Sequence, residues 1–344
     1  VVSIIWEGFL AIWRCVFIDC ERIIKQLVED ITNVVNESGS QKLYVAFSGG
    51  LDSSVVAALA KNALGKERVE LVTTRFYFTY PKTLEITKEF ARSLGLKHTF
   101  VDATQWQAKI WKQGPSCNAC TRGPKLISIK EYAKGDLVAT GAESEDTWGK
   151  WGLKIHNGFY SPLFSISRDE VKKIANCLNI RVTKIGENSG REGCILKHLL
   201  KMMAVFDYHG KAVYKANVLL MRMIEKDKMD FSTANVKIIG PLSKNIALVN
   251  LKPYPSESFK NELKNELVKI EEISEVDFVD KPIVLDVLAN PGIFNNKNSR
   301  YWIEHGRLAP DFSSPIKINW KLSRNNRLKT FSVVAYHFED EKNF

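Results

Sequence analysis

Apolar residues recur along this chain with two periods. From Glu21 to Asn36, Ile23, Ile24, Leu27, Ile31, Val34 and Val35 form a helical stripe. The same spacing returns at Thr83–Leu94 (Leu84, Ile86, Phe90, Leu94), Arg168–Leu178 (Val171, Ile174, Ala175, Leu178) and Glu257–Ile270 (Phe259, Leu263, Leu267, Ile270). Short apolar runs at Leu43–Phe47, Val69–Thr74, His98–Val101 and Asp136–Thr140 predict strands. Strands alternating with helices predict an α/β fold, a doubly wound parallel sheet whose ligands sit beyond the C-terminal strand ends. Lys197, His198, Lys201, Lys211, Lys215, Arg222, Lys226 and Lys228 then mark a basic helical segment between Ile195 and Met229. Farther on, Ala247–Leu251 and Ile283–Leu288 predict strands. Ile316–Leu322 alternates with period two, turns through Ser323–Arg327 and returns as Leu328–Phe338, the pattern of a hairpin. The expected organisation is an N-terminal helical segment (1–36), an α/β domain (37–200), a basic helical segment (201–245) and a smaller C-terminal α+β domain (246–344).

One junction carries chemistry. The strand Leu43–Phe47 runs into Ser48-Gly49-Gly50-Leu51-Asp52-Ser53-Ser54, and this loop opens a helix through Val55–Ala60. Glycines bring backbone N–H groups near a ligand, a helix N-terminus adds partial positive charge, and Ser48, Ser53 and Ser54 add hydroxyls. The combination is a phosphate cradle. It is neither a Walker loop, which ends in Gly-Lys-Ser/Thr, nor a dinucleotide fingerprint.

Composition narrows the class. Hydrophobic content of 45% and charged content of 26% are those of a globular protein. The first twenty residues are apolar but interrupted by Glu7, Arg14 and Asp19, which fits an amphipathic helix better than a signal peptide or a membrane span. A net charge of +10 favours a polyanionic partner, with RNA first in line. Trp106, Trp148 and Trp151 are candidates for stacking on bases, or else interface aromatics. The cysteines lie too far apart for a secreted disulfide framework, so a cytoplasmic location is expected, with Cys177 packed in the core and Cys15 and Cys20 in the core or, as the alternative, a cluster ligand pair.

Cys117-Asn118-Ala119-Cys120 and Cys194, within Gly190-Arg191-Glu192-Gly193-Cys194, are the remaining thiols. Three thiolates can hold a 4Fe-4S cluster and leave one iron open. With His198 they suit zinc instead, and without a metal they are buried apolar groups or a redox pair.

The Ser-Gly-Gly-x-Asp-Ser signature resembles that of the PP-loop ATP pyrophosphatases, which split ATP between the α and β phosphates and leave AMP on a substrate. Thr140-Gly141-Ala142-Glu143-Ser144-Glu145-Asp146, a strand end followed by a glycine and acids, resembles the second nucleotide motif of PP-loop sulfurtransferases. Ser161-Pro162-Leu163 before a helix is another shared pattern. Over residues 21–200 the chain resembles the sulfur insertases that build the nickel-pincer cofactor of lactate racemase, and also the tRNA thiolases. It departs from the insertase pattern after Cys194.

The resemblance implies ATP and Mg2+ at Ser48, Gly49, Gly50, Asp52, Ser53, Ser54, Thr140 and Gly141, with Asp52 orienting the loop or the metal. Arg122 and Lys125 would stabilise charge. Cys117, Cys120 and Cys194 would hold the cluster, with Cys194 catalytic. The implied reaction adenylates a carbonyl oxygen, on tRNA in the first reading, and replaces it with sulfur taken from a donor protein or free sulfide. No membrane is expected, from the charges that interrupt the first twenty residues, and a homodimer is left open. The alternatives are a sulfur insertase acting on a small-molecule carboxylate and a non-catalytic nucleotide-binding RNA module. A sulfate-assimilation reductase is set aside because the last 150 or so residues hold no cysteine. An ammonia-using synthetase is set aside because the C-terminal part does not look like an amidotransferase.

Overall fold

The computed structural model describes the backbone of residues 2–183 and 193–340, with side chains from Cys20 onward except that of Trp148. Cys15, Trp148 and the stretch Gly190-Arg191-Glu192 therefore lie outside the described side chains. The chain divides into two compact units. The first is Val1–Arg75, Lys82–Ala103 and Arg122–Thr183; the second is Phe76–Pro81, Thr104–Thr121 and Lys184–Phe344.

In the first unit six strands form one sheet: β1 (Leu43–Ala46), β2 (Val69–Arg75), β3 (Lys97–Asp102), β4 (Val138–Ala139), β5 (Ile155–His156) and β6 (Phe159–Tyr160), in the order β3-β2-β1-β4-β6-β5. All neighbours are parallel except β5 against β6. The expected α/β sheet is present, and period two explains how both faces are covered. Leu43, Val45 and Phe47 face a core shared with helices Val2–Glu37, Leu51–Leu64, Pro81–Leu94 and Arg168–Cys177, while Tyr44 and Ala46 pack on the other side with Ile129 and Ala133 of helix Ser128–Ala133. The chain builds outward from β1 to β3, then returns to its other side at β4. The gap beyond the ends of β1 and β4 is the switch point at which such sheets bind ligands.

Several polar contacts fix this frame. Asp30 accepts hydrogen bonds from Lys154 and from the Tyr160 hydroxyl, clamping the first helix to β6. Cys20 and Cys177 are bonded to each other, which replaces the reading of both as separate packing residues by a covalent link between two helices. Among the described residues no helix is long and apolar enough to cross a membrane.

Thr73 donates to the Phe47 carbonyl at 2.7 Å and lies 2.8 Å from His98 Nε2. Its only hydroxyl hydrogen is thus committed, so His98 donates from Nε2, and the buried Nδ1 has no hydrogen-bond partner. Burial, reinforced by Lys88, holds His98 at about 4, below its ordinary 6.5. The unfolded chain therefore takes up a proton that the folded chain refuses. Stability is fully present above pH 6.5 and falls, by up to roughly 3 kcal/mol, as pH drops toward 4. A His98→Gln variant is expected to flatten this slope in thermal melts across pH 4–7; an unchanged slope would assign it to other groups.

In the second unit β7 (Thr233–Ile239) and β8 (Ile246–Lys252) are antiparallel, and β9 (Glu275–Phe278) joins β8 in parallel. A further sheet has β10 (Ile283–Ala289) between β11 (Ile316–Leu322) and β12 (Phe331–Phe338). The expected hairpin is thus corrected: β11 and β12 do not pair with each other but flank β10, which is parallel to β11 and antiparallel to β12. The expected basic helix also breaks up. A short 3-10 turn at Ile195–His198 is followed by the helix Lys211–Lys226.

Several cations of that segment, and two nearer the C-terminus, are in ion pairs within the unit. Lys211, Lys215 and Lys226 pair with Asp207, Glu272 and Glu262, and Lys317 and Lys321 pair with Glu339 and Asp286. Lys201 is 0% exposed, and its ammonium donates to the carbonyls of Pro241 and Lys244 and to Asn245 Oδ1. Burial pulls this ammonium down to about 7, yet three acceptors match its three N–H groups and favour the charged form. Lys201→Met would leave two carbonyls without a donor, Lys244 O and the Asn245 side-chain oxygen, while Pro241 O keeps the Lys244 N–H, and a loss of about 2–4 kcal/mol in denaturant unfolding is expected. A loss below about 0.5 kcal/mol would show that those carbonyls find other donors.

Candidate nucleotide site

The loop after β1 is folded on itself by its own serines. Phe47 N–H donates to Val72 O at 2.9 Å, keeping the chain in strand pairing up to the loop. Gly49 then takes φ +71°, a left-handed backbone that favours glycine. Gly50 N–H donates to Ser48 Oγ at 3.2 Å, the Ser53 hydroxyl donates to Gly50 O at 3.1 Å, and Ser48 N–H donates to Ser53 Oγ at 3.3 Å. Since the Ser53 hydrogen is used on Gly50, the 3.1 Å contact between the two hydroxyls runs from Ser48 to Ser53. Ser54 is buried, with its hydroxyl unpartnered and its N–H on Gly50 O. The N–H groups of 51–53 open the helix Leu51–Leu64 and have no partner within it.

The second motif closes against this loop from β4. Thr140 N–H donates to Tyr160 O at 2.8 Å, and its hydroxyl meets that of Ser161 at 3.0 Å. A Cβ on Gly141 would stand 2.9 Å from Ser53 N and 3.0 Å from Asp52 Cβ. Only a glycine lets the two segments touch here.

Glu143, 1% exposed, follows. Its carboxylate takes Arg168 Nη2 at 3.1 Å on one oxygen and Glu145 N–H at 2.6 Å on the other, while its own N–H reaches Asp146 Oδ2 at 3.3 Å. Arg168 is presented by a helix start that Ser167 and Glu170 cap reciprocally. Burial, then Asp146 and Glu143, raise the Asp52 carboxyl above its ordinary value, with Arg168 opposing. Three acids and one guanidinium thus edge a turn rich in backbone donors. Such an edge suits a cation lying between carboxylates and phosphates.

Ser48, Gly49, Gly50, Asp52, Ser53, Ser54, Thr140 and Gly141 are therefore brought together in the first unit. Glu143 and Arg168 complete the cluster and were not singled out as site residues; the signal for them was the acid-rich turn after β4 and the Ser167 cap. Arg122 and Lys125 are exposed, and the Lys125 carbonyl accepts from Thr74 at the end of β2.

The thiols of the second unit are arranged differently. Gln107, fully buried, donates from Nε2 to Cys120 Sγ at 3.3 Å and to Cys194 Sγ at 3.9 Å. Cys194 is placed there by antiparallel pairing with Thr79. Cys117 is exposed. Among the described residues no three His, Cys, Asp or Glu side chains are grouped to hold a metal. His198 is engaged elsewhere, its Nδ1 lying 2.9 Å from the Lys237 ammonium. The expected 4Fe-4S cluster on Cys117, Cys120 and Cys194, and its zinc variant, are withdrawn.

Residues 23–183 match the family described as NAD synthase. The NH(3)-dependent NAD(+) synthetase of Archaeoglobus fulgidus is 34% identical over 171 residues, spanning 46% of this chain and 69% of that protein. The enzyme of the same description from Pyrococcus furiosus is 28% identical over 172 residues, 46% of this chain and 64% of that one. A glutamine-dependent NAD(+) synthetase from Thermotoga maritima is 35% identical over 81 residues, 24% of this chain and 14% of its own length. The chain thus spans less than two thirds of the Pyrococcus and Thermotoga relatives.

These matches overturn the resemblance to sulfur insertases and tRNA thiolases, and with it the sulfurtransferase activity, the catalytic role of Cys194 and the tRNA acceptor. The physical grounds agree: among the described residues no ligand set for the cluster is assembled, and several lysines of the basic segment sit in intramolecular ion pairs. The ammonia-using synthetase set aside on the look of the C-terminal part is the class to which the matched segment points. With 34% identity over 171 residues that span 69% of the Archaeoglobus enzyme, and the phosphate loop and acidic turn inside the matched segment, the chain belongs to the NAD synthase family.

Proposed function

We propose that this protein is an ATP-dependent amidating ligase of the NAD synthetase type, with ammonia as its nitrogen donor. Its acceptor is the dinucleotide whose pyridine ring carries a carboxylate where NAD+ carries the amide. The observation that carries the reading is the closure of Gly141 onto Ser53 and Asp52, which joins the phosphate loop and the acidic turn into one site at the switch point. In this reading the triphosphate lies over the open N–H groups of 51–53 and of Gly49. Ser48 and Ser53 hold the loop's shape rather than the phosphates, because their hydroxyls are used within it. Asp52 and Asp146 would hold a Mg2+, which when bound neutralises phosphate charge. Arg168 holds Glu143 in place. The acceptor carboxylate attacks the α-phosphorus and pyrophosphate leaves; ammonia then adds to the acyl carbon and AMP departs, leaving the amide.

Incubation with ATP, Mg2+, 15N-ammonium and the acid dinucleotide tests this directly. The expected products are AMP, pyrophosphate and 15N-labelled NAD+ in equal amounts. ADP and orthophosphate, or unlabelled dinucleotide, would overturn it.

A further inference from the structure

The second unit contains a cavity of about 660 Å³, of the size that takes small-molecule ligands. Cys117 and Asn118 line one side, and Trp302, Arg307 and Asp311 line another. We propose that this cavity binds an anion carried on an aromatic ring, with Arg307 as the charge anchor and Trp302 as the stacking surface. The ligand class is a ring-bearing carboxylate or phosphate of about mononucleotide size.

Charge is the first ground. Asp311 at the wall is answered twice, by Lys237 at 2.9 Å and by Lys197 at 3.4 Å. Arg307 then adds a positive charge that no carboxylate within salt-bridge distance neutralises among the described residues. The guanidinium is held, not waving: it lies over the rings of Phe331 and Trp111 at 5.1 and 5.8 Å, and Nη1 donates to Pro115 O at 3.2 Å. Its Nη2 is shielded from solvent and has no hydrogen-bond partner, and Thr330 Oγ1, on the same cavity, is in the same condition. A fixed guanidinium that no carboxylate neutralises, in a net-positive wall, favours an anion.

The second ground is Trp302, which presents its indole 70% exposed at the cavity. An aromatic surface of this size beside a cation suits a planar ring attached to the anion. The proposal rests on the second unit alone and stands apart from the amidation reading.

Exposed Cys117 reports occupancy. Its alkylation by iodoacetamide, followed by mass spectrometry of its peptide in the intact protein, would be timed with millimolar AMP, nicotinate or inorganic phosphate. AMP or nicotinate is expected to slow Cys117 alkylation several-fold, with phosphate, which lacks a ring, protecting less. Protection by AMP alone would assign a phosphate ligand and protection by nicotinate alone a carboxylate. Arg307→Met is expected to weaken protection at least about tenfold. Trp302→Ala, at an exposed position that leaves the core intact, should weaken it as well. No slowing by either ring compound, or undiminished protection in Trp302→Ala and in folded Arg307→Met, would overturn the proposal.

Discussion

Asp52→Asn is expected to cut AMP and pyrophosphate formation by at least about a hundredfold while raising the thermal midpoint at pH 7. The two effects have one origin. Burial, Asp146 and Glu143 raise the Asp52 carboxyl, so the folded chain holds this proton more tightly than the unfolded chain does. Ionising Asp52 therefore costs stability. The cost is absent below the ordinary aspartate value and sets in as pH rises through the raised one. Asparagine keeps the shape and removes the charge, so the gain in midpoint should be present at pH 7 and vanish below about pH 4. Activity falls because a carboxylate beside phosphates is useful only through a cation, and an amide does not replace it. A variant that is both fully active and no more stable would remove Asp52 from the site.

The second large effect is expected at Gly141. A methyl there would stand 2.9 Å from Ser53 N and 3.0 Å from Asp52 Cβ, inside any tolerated contact with backbone. The loop must move, and the N–H groups it presents move with it. ATP binding by Gly141→Ala, measured by calorimetry, should weaken at least about tenfold, since a misplacement of tenths of an ångström to an ångström disrupts several charge-assisted bonds together. Gly141 meets Asp52 and Ser53 in the first turn of helix Leu51–Leu64, ahead of its core positions Val55–Ala60, so the protein should remain folded. Wild-type affinity for ATP would mean that the turn after β4 and the phosphate loop do not act together.

Much of the first unit could be read from local pattern. Leu43, Val45 and Phe47 alternate with Tyr44 and Ala46, and the strand–loop–helix at Ser48–Ser54 follows from glycine, serine and the apolar run beyond. What was not legible were contacts made across long sequence separations. β7 was absorbed into a basic segment because Asn235 and Lys237 look like surface residues; Asn235 donates to the Asp311 carbonyl and Lys237 pairs with the Asp311 carboxylate. Lys201 and Lys215 likewise read as free charge until their partners, forty or more residues away, are in place. β11 and β12 looked like a hairpin because only a short turn separates them. The apolar run Ile283–Ala289, buried at nearly every position, is the mark of a central strand that had to lie between them.

The candidate site was half legible for a related reason. The Ser-Gly-Gly-x-Asp-Ser loop speaks to ATP and is shared by enzymes that replace the activated oxygen with sulfur or with the nitrogen of ammonia. Three cysteines and a basic charge tipped the choice toward sulfur. The structure sets two thiols against Gln107 and leaves Cys117 exposed, so spacing along the chain had suggested a ligand set that the fold does not assemble.

The most direct test follows the oxygen. With the acid dinucleotide labelled by 18O in its carboxylate, and ATP, Mg2+ and ammonium supplied, attack of that carboxylate on the α-phosphorus places one label in AMP, visible by 31P NMR or mass spectrometry. Label in AMP, with unlabelled pyrophosphate, is the predicted result. AMP free of label, or label appearing in orthophosphate beside ADP, would contradict the account.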